Sequence, residues 1–584
     1  MIRYKYSAVI ILGSVFLIFG CSKASLDRFP ISELSPETYF QSENELKTYT
    51  NSFYALVPGN PSDGGSSIWG TYIDDEATFS VGDLIAGTRT VPVTGGGWDW
   101  TMLRNINFFL ENVNKFTGPD MIRNHYIGLA RFFRAWFYFM KVERFGDVPW
   151  YSGTMSTDDK ADLEKARDSR VLVMDSILSD VNFAIANLPV TKKIDEISKW
   201  TALALKSRIF LYEGTFRKYR NLENYNKMLD ESISASLELM KDGGYSIYKS
   251  APDRAYQELF ISLDAIPEEI ILARTFDLSI PYTHSVNFRT NSSSYGRPGV
   301  TKQVINSYLM KDGSRFTDIN GYKTMQFYEE CQNRDPRLAQ TIRTPGYKEI
   351  GETKTSLPDF TATMTGYQYI KYILSPVHFS SGCDNDLPVF RFAEILLNYA
   401  EAKAEKGDLT QNDLDISIKL IRDRVEMPNI NFATANADPD PFMADQYRNV
   451  SGQNKGVILE IRRERRLELI REDFRWDDIV RWKEGHNLTR PFLGMYFSGP
   501  GEFDLDNDGK IDIVIYKDQK PGNPIPSAQY YKLGEIDLVN RENGGNIIVN
   551  RTVPKTFDEN KDYLYPIPIQ ELNLNTNLEQ NPGW

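Results

Sequence analysis

The chain has 584 residues, 41% hydrophobic and 25% charged, enough to bury a large core and too apolar for a disordered chain. Its net charge of −12 repels phosphate backbones and counts against generic nucleic-acid binding. Three cysteines provide no disulfide scaffold, and the four histidines, His125, His284, His378 and His486, lack HExxH, CxxC or His-x-His spacing, which argues against a histidine-based zinc site.

Residues 1–20 read as an export leader. MIRYKY carries Arg3 and Lys5, and SAVIILGSVFLIFG follows without charge. That apolar run is shorter than the roughly 20 residues a membrane-spanning helix needs. Cys21 follows Gly20, and IFGC resembles a bacterial lipobox, with Phe19 bulkier than usual at its position. Cys21 is therefore the expected lipidation site, and each buried CH₂ of its acyl chains would contribute roughly 0.8 kcal/mol to membrane attachment. Loss of the leader's two positive charges makes the mature chain −14. Cys331 and Cys383 then remain, allowing at most one internal disulfide.

Helical periodicity predicts helices near 36–56, 101–116, 122–144, 169–188, 196–219, 222–241, 389–406, 411–425 and 455–484. YIGLARFFRAWFYFMKVERFG, TALALKSRIFLYEGTF and RFAEILLNYAEAKAEKGD set small alanines among apolar residues, which lets neighbouring helices approach closely, as in tetratricopeptide hairpins. Their spacing is too irregular for a 34-residue array. The stretches 60–100, 245–300, 345–388 and 486–560 are rich in Gly, Pro, Ser, Asn and Tyr and read as long loops with short strands such as IDIVIY. Loops this long on a helical scaffold are usually functional surfaces. No GxxxxGK[ST], GxGxxG or GxSxG is present.

LEIRRERRLELIREDFRWDDIVRWKEG, Leu459 to Gly485, holds seven Arg and one Lys against eight acids, so it is no basic arm. Glu460 and Arg463, Glu468 and Arg471, and Glu472 and Arg475 stand at i,i+3, and Asp477 and Arg481 at i,i+4. Such pairs contribute roughly 0.2–0.5 kcal/mol each. Ile458, Ile461, Leu467, Ile470, Phe474, Ile479 and Trp482 form an apolar stripe, so the expectation is a docked helix whose charges hold a fold.

Further on, FDLDNDGKIDIVIY places Asp504, Asp506 and Asp508 before Gly509, with Asp512 at the ninth position, as in the first half of a calcium loop. Ile515 stands where an EF-hand requires a bidentate Glu. The open alternatives are a structural Ca²⁺ held by these aspartates and a metal-free Asp-Gly hairpin.

ERRLELIREDFRWDDIVRW resembles the C-terminal signature of the SusD/RagB outer-membrane lipoproteins, with Asp473 where that family often has Gly. SLDRFPISELSPETYF, LARFFRAWFYFMKVERFGDVPW, SRVLVMDSILSDVNFAIANLP, PVFRFAEILLNYAEAKAEKGD and the terminal YPIPIQELNLNTNLEQNPGW match in the same order, spanning nearly all of the mature chain. The resemblance implies a mainly α SusD-like fold with four tetratricopeptide-like helix pairs and a loop-rich face. Its regions would be an N-terminal helical part, 21–245, packed as one unit with a C-terminal part, 246–584.

The resemblance also implies a non-enzymatic, lipid-anchored protein of the outer membrane facing the cell exterior, a lid on a SusC-like TonB-dependent transporter that captures poly- or oligosaccharide. Sugar rings stack on exposed aromatic faces while Asn, Asp and Arg satisfy their hydroxyls. Loop residues that meet this requirement are Trp69, Tyr72, Trp98, Trp100, Tyr282, Asn291, Tyr295 and Arg297. Two other classes stay open, a peptide-binding lid of the same kind and a surface glycoside hydrolase, which would need two facing carboxylates in a cleft.

Overall fold

A computed structural model describes residues 39–59, 74–156, 158–280, 282–378 and 382–584. The leader, Cys21, Trp69 and Tyr72 lie outside the described residues.

The N-terminal half is a run of helices, including three with side-chain caps. Helix α1 (Glu43–Asn51) opens on a capping box, in which the Ser42 hydroxyl accepts from the Glu45 N–H and the Glu45 carboxylate accepts from the Ser42 N–H. Then come α2 (Thr101–Asn112), α3 (Asp120–Phe145), α4 (Arg170–Asn187, capped by Ser169), α5 (Lys199–Lys218, capped by Ser198) and α6 (Tyr225–Asp242). Helix α3 packs on α4, α4 on α5 and α5 on α6, so the expected helix pairing is present. Small residues make it possible: a Cβ on Gly214 of α5 would stand 2.6 Å from Leu229 Cδ2 of α6.

The C-terminal half adds helices α7 (Val286–Asn291), α8 (Phe392–Lys406), α9 (Lys455–Glu468) and α10 (Arg475–Trp482). Helix α8 lies against α5, α6 and α9, carrying the helical core across the two halves. The strands form small antiparallel pairs: β1 (Glu76–Ala77) with β3 (Gly299–Val300), β2 (Ile270–Arg274) with β4 (Leu387–Arg391), and β5 (Phe492–Phe497) with β9 (Gly545–Val549). A further sheet orders β6 (Gly501–Phe503), β7 (Ile513–Tyr516) and β8 (Gln529–Lys532), with β7 and β8 parallel. The protein is mostly helical, as expected. Both Cys331 and Cys383 are free thiols.

Three predicted helices need correction. Residues 387–391 pair with β2, so the helix expected from 389 starts at Phe392. The 411–425 helix is two short ones, Gln411–Asp415 and Ile418–Asp423. The 455–484 helix breaks between Glu468 and Arg475, where Arg471 and Asp473 take left-handed φ of 61 and 62°. Side chains remote in sequence claim the carbonyls that a continuous helix would use. Arg391 and Tyr256 donate to Glu468 O at 2.8 and 2.7 Å, and Lys371 donates to Ile470 O at 2.7 Å.

The charges of this segment do hold the fold, but through tertiary partners. Of the four expected local pairs only Glu460–Arg463 forms, at 3.1 Å. Glu468 instead meets Arg391 at 2.7 Å, Arg337 at 3.0 Å and Arg424, all deeply buried. Arg475 clasps Asp74 through two hydrogen bonds of 2.7 Å, and Arg466 reaches Asp75 at 2.6 Å, tying the N-terminal part to the C-terminal part. Glu472 pairs with Lys371 and Arg391, and Arg481 with Glu401 and Asp478. The apolar stripe from Ile458 to Trp482 is buried apart from the half-buried Phe474.

Acid should loosen this network. Burial alone would raise the Glu405 carboxyl, but Lys218 and Arg462 outweigh it and hold the group at about 2. A carboxyl depressed from its unfolded value of about 4.3 contributes stability above that pH and loses it as pH falls toward 2. Urea unfolding is expected to show lower stability at pH 3 than at pH 6, with a smaller difference in Glu405→Gln; an unchanged difference in the variant would assign the acid sensitivity elsewhere.

Candidate functional site

Three walls meet at a cleft of the C-terminal half. The first is α7 and the turn after it. Phe288 and Tyr295 are 37% and 43% exposed, with rings 6.3 Å apart. Gly296 and Arg297 both take left-handed backbone, φ 72 and 52°, and in a non-glycine residue such strain clusters at functional sites. The turn is held because Arg297 N donates to Tyr295 O at 2.8 Å and Met364 N donates to Arg297 O at 3.0 Å.

The second wall is the loop 359–368. Its Phe360 carbonyl accepts from the Arg297 guanidinium, and Asp359 N donates to Gln368 Oε1 at 2.8 Å. Gln368 in turn donates to Asn291 Oδ1 at 2.9 Å, so Asn291 couples the first two walls. From behind, Met495 N of β5 donates to Thr365 O at 2.9 Å. Only glycine fits beside it, since a Cβ on Gly494 would lie 2.2 Å from Thr365 O.

The third wall is β8. Parallel pairing with β7 sets Tyr530 opposite Val514 and Tyr531 opposite Ile515, and the Tyr531 ring reaches 5.8 Å from Phe360. Arg297, Phe360, Thr361, Tyr530, Tyr531 and Glu535 line a cleft of about 460 Å³ between the walls. Burial, reinforced by the Asp359 charge and opposed by Arg297, pushes the Tyr531 phenol up to about 12. It stays protonated and donates to Gln529 Oε1 at 2.6 Å. The cleft thus offers aromatic faces, hydroxyls and a guanidinium, with Glu535 as its single lining carboxylate among the described residues.

Of the sequence candidates, Asn291, Tyr295 and Arg297 come together here. Tyr282 is 37% exposed on the preceding loop, stacked on Phe276 at 5.5 Å. Trp98 is corrected to a core residue: it is 7% exposed and wedged edge-on between Trp100 and Phe145, leaving no face for a sugar. Trp100 packs on Phe137, Tyr138 and Tyr151, and its remaining edge lines a separate cleft of about 230 Å³ with Arg104 and Asn107. Sequence reading missed Phe288, Phe360, Tyr530 and Tyr531. Their signal was the same as that of Tyr295, an aromatic in a loop-rich stretch, Phe360 in 345–388 and Tyr530 and Tyr531 in 486–560.

In the loop between β6 and β7, oxygens of Asp504, Asp506 and Asp512 lie within 4.8 Å of one another. Burial and the neighbouring carboxylates raise both Asp506 and Asp512 above the usual range. Asp508 is corrected out of the set, because its carboxylate is turned to Lys510, accepting from the backbone N–H at 2.8 Å and from the ammonium.

A family profile described as the SusD family matches residues 273–584, and one described as "Starch-binding associating with outer membrane" matches 98–211. The chain is similar to SusD-like protein P38 of Formosa agariphila, 26% identical over 412 residues, 68% of this chain and 74% of that protein. It is also similar to SusD-like protein P2 of the same organism, 23% identical with all of both chains covered. Among solved structures, a SusD-like protein of Bacteroides fragilis superposes with TM-score 0.68 at 20% identity, covering 95% of this chain and 100% of the other. A SusD-like carbohydrate binding protein from that organism gives 0.67 at 21%, covering 93% and 100%. No helix among the described residues is long and apolar enough to cross a membrane. With the first profile spanning more than half of its length and the fold shared end to end, the chain belongs to the SusD family.

Proposed function

We propose that this protein captures poly- or oligosaccharide at the cell surface and delivers it to a SusC-like TonB-dependent transporter, without cleaving it. The observation that carries the reading is the cleft of Tyr530, Tyr531 and Phe360 beside the exposed Tyr295, with Arg297 at their junction. Aromatic faces cover a sugar's C–H face, and fixed donors orient its hydroxyls. A single lining carboxylate among the described residues supports binding over hydrolysis, which needs two. A glycan array set beside a peptide pull-down tests it: glycan signal without peptide capture supports the reading, and the reverse outcome assigns the lid to peptides.

Attachment belongs to the same reading. Cys21→Ala is expected to release the protein from outer membranes with its thermal melt unchanged; a variant that still partitions with membranes in high salt would have another anchor.

The carboxylate trio supports a second proposal, that Asp504, Asp506 and Asp512 hold Ca²⁺ across the β6–β7 loop. Burial and the neighbouring carboxylates raise Asp506 and Asp512, and a bound cation would offset both costs. Millimolar calcium is then expected to raise the melting temperature over that in chelator, by mass action on the folded state. Superimposable melts would leave a metal-free hairpin.

A further inference from the structure

We propose that the ligand of the Tyr530–Tyr531 cleft is an anionic saccharide, one bearing carboxylate or sulfate groups; the inference rests on the glycan-binding reading above. Arg297 lines the cleft, Lys520 lies over its Tyr530 ring and Arg289 over the Tyr295 ring of the adjoining wall, and none of the three forms an ion pair among the described residues. The arginines of the helical core, by contrast, are closely paired, as Arg466 is with Asp74 and Arg481 with Glu401.

Two of the cations sit where a sugar would stack. The Arg289 guanidinium lies 4.7 Å over the Tyr295 ring and donates to its hydroxyl. The Lys520 ammonium lies 4.6 Å over the Tyr530 ring. A neutral sugar stacking on those faces must displace the cations and lose their interaction with the ring. An anionic sugar keeps them, because its charged group gives each cation the carboxylate or sulfate acceptor it lacks.

The nearby acids spend hydrogen bonds on their own turns and pair with none of these cations among the described residues. Asp359 accepts from Thr361 N and Oγ1 at 2.8 and 2.7 Å, and Glu535 accepts from Lys532 N at 2.8 Å, so both cap their own turns. The protein's overall negative charge acts weakly at the cleft, since salt screens exposed charges beyond about 8 Å at physiological ionic strength.

The test is native affinity electrophoresis of the mature chain in gels containing polygalacturonate, a carrageenan, or the neutral polymers galactan, starch and mannan. Retardation is expected from polygalacturonate or carrageenan, and which one separates carboxylate from sulfate recognition. Arg289→Gln and Lys520→Gln are each expected to weaken it about tenfold, as loss of a charge-assisted contact does, with Arg289→Lys recovering most of the effect and melting curves unchanged. Retardation by neutral polymers alone overturns the anionic assignment and leaves glycan binding standing. Anionic retardation that is unaffected in the two Gln variants also overturns it, since the contact then lies elsewhere. A mature chain retarded by no polymer of either kind counts against the glycan reading itself, and this inference goes with it.

Discussion

Glu468→Ala is expected to destabilise the protein by about 3 to 5 kcal/mol, the usual cost of stripping the partner from buried charge. Burial by itself would raise this carboxyl, yet Arg424, Arg391 and Arg337 hold it far below the carboxylate range. All four side chains are at most 2% exposed. Removing the single anion they share leaves three guanidiniums facing one another across a dry interior, with Glu269, Asp335, Glu464 and Glu472 only partly compensating. The break after Glu468 depends on the same residues, since Arg391 and Tyr256 also hold its carbonyl. Glu468→Gln should therefore be nearly as damaging, because shape is kept and charge is not. Urea denaturation followed by circular dichroism measures this. A loss under about 1 kcal/mol in both variants, within the range of an exposed pair, would mean that the network is not a structural centre.

The second large effect is on ligand. Tyr531→Ala is expected to weaken glycan binding by about tenfold and, combined with Tyr295→Ala, by about a hundredfold, at roughly 1 to 1.5 kcal/mol per aromatic face. Stability should change little for Tyr295, whose ring is 43% exposed, and more for Tyr531, which packs on Phe360. Arg475→Ala and Trp482→Ala should do the opposite. They remove the clasp on Asp74 and a fully buried indole that donates to Glu401 at 2.8 Å, while any protein that still folds keeps its sugar affinity. Loss of binding at full stability in those variants would place the charged segment in the site.

Legibility followed the range of the interactions. The helices α3, α5 and α8 were readable because apolar periodicity, caps and glycine stops are local, and the terminal signatures fixed the family resemblance. The break at 469–474 was hidden because it is made by Tyr256, Lys371 and Arg391, far away in sequence. The ion pairs were misassigned for the same reason: spacing offered Arg475 a partner in Glu472, and the fold supplied Asp74 instead. At the site, Tyr295, Arg297 and Asn291 were found as polar and aromatic residues of one loop. Phe360 and Tyr531 join them only through the Gly494–Thr365 approach and the parallel β7–β8 register, which composition does not encode. Trp98 carried the composition of a loop residue but was drawn into the core by Phe145.

The central claim is that the loop face binds glycan while the charged helices only support it. Calorimetric titration of an array-selected oligosaccharide into the wild type and the Tyr295→Ala, Tyr531→Ala double variant tests it most directly. The expected result is saturable binding to the wild type and none measurable in a double variant that still unfolds cooperatively. Undiminished binding in that folded double variant would contradict the claim and put the sugar elsewhere on the protein.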